Sequence, residues 1–163
     1  RVLKDEYLVG MRYNNRLSGY TNMGIYYYDE KNETWEYVTT KNNPERNILT
    51  ASLDQFHAIT IIQDLKPPMI LNTYPAHGGT YKSEDVKHIL IDVDDATSGI
   101  EPSEKSFSIK LDGKKLYFAY QPVKKQLSYH FERPISLGDH ELIINVFDKV
   151  GNKKQKKILF RCN

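Results

Sequence analysis

Ser106-Phe107-Ser108-Ile109-Lys110-Leu111-Asp112-Gly113-Lys114-Lys115-Leu116 carries the clearest local signal in the chain. Phe107, Ile109 and Leu111 recur at every second position, the period of a strand with one buried face. Asp112-Gly113 tolerates positive φ at both central positions of a tight turn. The stretch therefore predicts a β-hairpin that returns through Leu116.

The same grammar extends in both directions. Upstream, Ile89, Ile91 and Val93 alternate with His88, Leu90 and Asp92, and Met69-Ile70-Leu71 opens an earlier strand before the turn Pro75-Ala76-His77-Gly78-Gly79. Downstream come Tyr117–Tyr120 and Leu127–Phe131, and Leu137-Gly138-Asp139 turns the chain into His140–Phe147. There Leu142, Ile144 and Val146 share a face. Asp148-Lys149-Val150-Gly151-Asn152 turns it again, and Ile158, Phe160 and Cys162 line the last strand. About seven short strands at this spacing predict an immunoglobulin- or fibronectin-III-type sandwich.

Asp64-Leu65-Lys66-Pro67-Pro68 divides the chain, because paired prolines donate no ladder hydrogen bonds and stiffen the backbone. The expectation is all-β, with two consecutive immunoglobulin-like sandwich modules at 1–64 and 65–163. The first is small or incomplete. Its expected strands are Tyr7–Tyr13, Gly24–Asp29, Trp35–Thr40, Ile48–Ala51 and Phe56–Gln63. No segment predicts a helix. Twelve Tyr, six Phe and scarce Ala agree, since flat and branched side chains suit a pleated surface.

Charge narrows the function. Twenty-three basic residues nearly cancel 21 acidic ones, so neither a nucleic-acid partner nor an anionic membrane is implied. No apolar run approaches the length of a membrane span. A single cysteine, Cys162, excludes an internal disulfide and a cysteine-based zinc site. It reads as a small buried hydrophobe. Arg1-Val2 opens the chain without Met, as in a processed or excised fragment whose targeting signal lies elsewhere.

Catalytic patterns fail on spacing. The five histidines, His57, His77, His88, His130 and His140, form neither a His-Glu-x-x-His helix nor a His-x-His pair. There is no Gly-x-Ser-x-Gly elbow, and Ser98-Gly99 reads as a turn. No cofactor is expected. Asp92, Asp94, Asp95 and Glu101, joined by Asp148 if two turns meet, form the one weak calcium candidate. They lack the Asp-x-Asp-x-Asp-Gly spacing, and a hydrogen-bonded turn accounts for them. Lys153-Lys154-Gln155-Lys156-Lys157 reads as a solvated strand edge rather than a phosphate-binding run. Asn32-Glu33-Thr34 fits a glycosylation sequon, a short and common pattern.

The candidate ligand-binding residues are Tyr26, Tyr28, Trp35 and Tyr37, an aromatic stripe suited to a carbohydrate. Alternation sends Tyr27 to the opposite face from Tyr26 and Tyr28. Half of the stripe is expected in the core, Trp35 included.

Four ordered turn motifs add a resemblance. Asp95-Ala96-Thr97-Ser98-Gly99-Ile100, Leu111-Asp112-Gly113-Lys114, Leu137-Gly138-Asp139-His140 and Phe147-Asp148-Lys149-Val150-Gly151-Asn152 are similar to bacterial immunoglobulin-like modules over 67–163. The stretch Tyr26–Pro68 resembles the module that commonly precedes them. Such tandem immunoglobulin-like or fibronectin-III-like modules occur in large secreted or envelope proteins, sometimes C-terminal to lysostaphin-type metallopeptidase domains. The resemblance implies an extracytoplasmic accessory module without an active site, a spacer or protein-interaction domain. Its partners would be protein, cell-wall glycan or other domains of the parent protein. The alternative is a carbohydrate- or peptidoglycan-binding module using the aromatic face.

Overall fold

A computed structural model describes residues 6–14 and 21–163; Arg1 and Val2, and the reading placed on them, lie outside the described residues. The chain divides after Lys66. One unit holds the residues up to that point together with the short excursions 97–99 and 149–152. The other holds 67–96, 100–148 and 153–163.

The first unit carries β1 (Tyr7–Arg12), β2 (Met23–Asp29), β3 (Thr34–Val38), β4 (Thr40–Asn43), β5 (Ile48–Leu53) and β6 (Ile59–Gln63). They form two three-stranded sheets, in the orders β1-β5-β4 and β3-β2-β6. Met23, Ile25, Leu49 and Ala51 are buried between them, with Met11, Val38, Ile59 and Ile61 packed alongside. The five expected strands are joined by one more. Thr40-Lys41-Asn42-Asn43 is polar throughout and shows no alternation, yet it pairs with Ile48–Ala51. An edge strand needs an apolar residue on neither side when its partner supplies the core.

The second unit carries β7 (Met69–Tyr74), β8 (Thr80–Tyr81), β9 (His88–Asp94), β10 (Phe107–Leu111) and β11 (Lys114–Leu116). It continues with β12 (Ala119–Gln121), β13 (Gln126–His130), β14 (Gly138–Phe147) and β15 (Lys153–Cys162). One sheet runs β12-β13-β9-β7 and the other β11-β10-β14-β15-β8. The first order is the ABED sheet of an immunoglobulin fold read from its far edge. β10-β14-β15 is its CFG sheet. β8 pairs in parallel with the end of β15, through Arg161↔Thr80 and Cys162↔Tyr81.

The predicted hairpin is present, with Ile109↔Leu116 and Leu111↔Lys114 paired. Asp112 and Gly113 sit at φ 49° and 79°, the two positive values that its turn requires. Ile89, Ile91, Val93 and Leu127 face Ile109, Leu142, Ile144, Val146 and Ile158 across the core. Helical structure is limited, among the described residues, to single 3-10 turns at Ser83–Asp85, Glu104–Ser106 and Pro122–Lys124.

Cys162 is buried at the end of β15, and burial pushes its thiol pKa up.

Candidate functional site

The β2–β3 ribbon places all four candidate aromatic residues on one face. Tyr26 stands opposite Tyr37, and Tyr28 opposite Trp35, two adjacent rows on the side away from Ile25. Tyr26 and Tyr37 meet edge-on at 5.5 Å, while Tyr28 and Trp35 lie 5.2 Å apart with their planes at 59°.

Exposure divides the two rows. Tyr26 is fully buried, whereas Trp35 is 39% exposed. This corrects the expectation that Trp35 is core. Hydrophobicity argues for burial, but β3 is an edge strand, and Trp35 points outward, away from the layer filled by Ile25 and Val38. Tyr27 faces the other way, as alternation requires, and packs 4.5 Å from His57. What remains open to a ligand is the angled pair Tyr28–Trp35, a corner suited to one ring rather than a flat table.

The turn that aligns this pair is held by Asp29. Its Oδ1 accepts from Lys31 N at 2.9 Å and Asn32 N at 3.3 Å, and its Oδ2 accepts from Asn32 Nδ2 at 2.7 Å. The Asn32 side-chain bond leads the causes that hold the Asp29 carboxyl below its ordinary range. A depressed carboxyl pKa contributes stability above the unfolded-state pKa, and this is lost as pH falls through the lower folded value. In Asn32→Ala, the Asp29 carboxyl is expected to titrate at higher pH, read by carbon NMR. An unmoved titration would show that the Asn32 amide does not hold it.

The acidic candidates are split between two settings. Asp92 and Asp94 share the solvent-side register of β9 and are engaged by neighbours. Asp92 accepts from Gln126 Nε2 at 2.8 Å and Asn72 Nδ2 at 3.2 Å. Asp94 accepts from Lys125 Nζ at 2.6 Å and from Asp95 N at 2.8 Å. The hydrogen bond to Asp94 raises the Lys125 pKa. The Asp95 and Asp148 carboxylate oxygens lie within 4.8 Å of one another, and Asp148 is 5% exposed. Glu101 is exposed.

The turn motifs converge on structural clasps. In the first unit Asp64, 2% exposed, accepts from Lys66 N at 3.0 Å and from Ser98 N at 3.1 Å. Its carbonyl accepts from Asn152 Nδ2 at 2.8 Å, and its own N–H donates to Asn22 O at 2.8 Å. Asn22 Nδ2 in turn reaches Asn152 Oδ1 at 2.8 Å. Lys149 N donates to Gly99 O at 3.0 Å, closing the two excursions on each other.

In the second unit His140 occupies the inward series of β14 with Leu142 and Ile144, and is 4% exposed. A buried imidazole needs partners. Its Nδ1 lies 2.7 Å from Asp112 Oδ2 and its Nε2 2.8 Å from Ser136 O, with the Phe160 ring stacked 5.1 Å away. Asp112 Oδ1 also accepts from Glu141 N at 2.8 Å. The Asp-Gly turn and the Gly-x-His turn are thus two halves of one contact.

The lysine run of β15 is engaged within its own unit. Lys156 Nζ reaches Ile70 O at 3.4 Å, Lys157 pairs with Glu141, and Lys153 lies 5.7 Å over the Phe147 ring.

No family model and no curated protein matches the chain. Among solved structures, CopC from Methylosinus trichosporium OB3b is similar at TM-score 0.47 and 17% identity, over 59% of this chain and 93% of that one. Dimeric latent PorU from Porphyromonas gingivalis gives TM-score 0.44 and 11% identity, over 97% of this chain and 20% of that one. Sidekick-1 immunoglobulin domains 1–4 give TM-score 0.29 and 8% identity, over 96% and 47% respectively. No helix among the described residues is long and apolar enough to cross a membrane.

Proposed function

We propose that the chain is a non-catalytic accessory module of a larger bacterial extracytoplasmic protein, serving as a spacer or protein-interaction domain. One observation carries this reading. The polar groups of the turn motifs and of Asp64 direct their hydrogen bonds to one another across turns, Asp64 to Lys66, Ser98 and Asn152, and Asp112 to His140 and Glu141. A catalytic group instead keeps an atom directed at a reacting centre.

A second reading, peptidoglycan or carbohydrate binding, is favoured by the exposed Trp35 beside Tyr28. Retention of the purified chain on insoluble peptidoglycan separates the two. If the aromatic corner binds a sugar, Trp35→Ala is expected to weaken retention about tenfold, on the order of one aromatic contact. Absence of retention by the unaltered chain leaves the spacer reading. Release of soluble fragments from the peptidoglycan by the chain would overturn both.

A further inference from the structure

The outer face of the β1-β5-β4 sheet holds a feature that neither reading uses. Arg12 of β1, Lys41 of β4 and Arg46 of the turn between β4 and β5 surround a depression of about 510 Å³. Its floor is Ile48 and Thr50, Asn42 and Asn43 complete the rim, and no acidic residue lines it among the described residues. No ion pair among the described residues engages any of the three cations.

The sheet register explains the trough. Arg12, Ile48 and Asn43 form one cross-strand row, and Gly10, Thr50 and Lys41 the next. Arg12 and Lys41 therefore flank the central strand, roughly two strand spacings (~10 Å) apart. Gly10 supplies no side chain between them, and a Cβ there would meet Ile48 Cδ1 at 3.3 Å. The backbone turn that carries the third cation is fixed as well. Arg46 N donates to Asn43 Oδ1 at 3.2 Å, and Tyr13 N holds the same turn through Asn47 O at 3.0 Å. Three like charges on ordered elements, with no counter-charge in the lining, repel one another until an anion joins them.

We infer that this trough binds an acidic polysaccharide, with carboxylate or phosphate groups on Arg12, Lys41 and Arg46 and sugar hydroxyls on Asn43 and Thr50. Arginine forks match planar and tetrahedral oxyanions bidentately. A single-stranded nucleic acid fits less well, because its bases require aromatic stacking platforms and the lining has none. The inference goes beyond both readings and stands on a different sheet from Tyr28 and Trp35.

The test is binding of the whole chain to fluorescein-labelled polygalacturonate, with neutral dextran and a dT oligonucleotide as parallel probes. The unaltered chain is expected to bind polygalacturonate and not dextran. Its log K should fall with log[salt] at a slope of roughly −2, about 0.7 for each of three cations. R12A/K41A/R46A should lose at least tenfold in affinity and flatten that slope, with an unchanged melt because all three residues are exposed. K110A/K114A/K154A removes the same charge from the second unit and should stay within twofold. Equal losses in both triple variants, tighter binding of dT than of polygalacturonate, or no polygalacturonate binding at low salt would each overturn the inference. Polygalacturonate binding that survives R12A/K41A/R46A and is lost in Trp35→Ala would move the site to the aromatic corner, and would overturn it too.

Discussion

Asp112→Ala is expected to destabilise the second sandwich by about 2–3 kcal/mol, a fall of roughly 10–20 °C in its thermal midpoint for a domain near 100 residues. Three losses coincide. His140, 4% exposed, would face the core with Nδ1 lacking its acceptor, and the Glu141 amide would lose its carboxylate. Alanine would also have to hold φ near 49°, a conformation that Asp tolerates better. The loss stays moderate because the Asp112 side chain is 43% exposed and water screens its charge. Asp112→Asn keeps an acceptor and the turn preference, and should lose about 1 kcal/mol. Matching melts for the two variants would show that the charge, rather than the turn and its acceptor, holds His140.

Asp64→Ala should weaken the first unit by a similar amount, about 2–4 kcal/mol, for a different reason. Asp64 is almost wholly buried, and both of its carboxylate oxygens serve backbone amides, Lys66 N and Ser98 N. Ser98 is itself 2% exposed, so its orphaned N–H would remain out of water. Amide hydrogen exchange reads this directly: Ser98 and Lys66 should lose protection in the variant while the Leu142 and Ile144 amides of β14 keep theirs. Protection retained at Ser98 would show that another group holds that excursion.

The parts of the fold legible in the sequence are those written in short-range period. The β10–β11 hairpin and the alternation of β9 each depend on neighbours within a few residues, so Asp112-Gly113 and Ile89-Ile91-Val93 declare themselves. β4 does not, because Thr40–Asn43 is an edge whose apolar partners lie on another strand. Trp35 misled for the converse reason: its chemistry favours burial, and only the pairing of β3 turns it outward. His140 was half legible. It stands two residues before Leu142 in the inward series, which announces burial, but its partner Asp112 lies 28 positions away. Asp64, Ser98 and Asn152 stand in separate segments, and Arg12 stands some thirty residues from Lys41 and Arg46, so neither group leaves a contiguous trace. The aromatic stripe was visible because a hairpin places its residues within twelve positions of one another, from Tyr26 to Tyr37.

The sulfur at the end of β15 turns the molecule into its own clock. The chain holds one thiol, and it is 1% exposed at the end of β15, the strand that pairs in parallel with β8. A thiol reagent in solution therefore reacts only from an opened state, and at concentrations high enough to outrun reclosing its rate becomes the rate at which that strand comes away. Each labelled molecule records an opening of the end of β15 between β14 and β8, without a probe having been added to the protein.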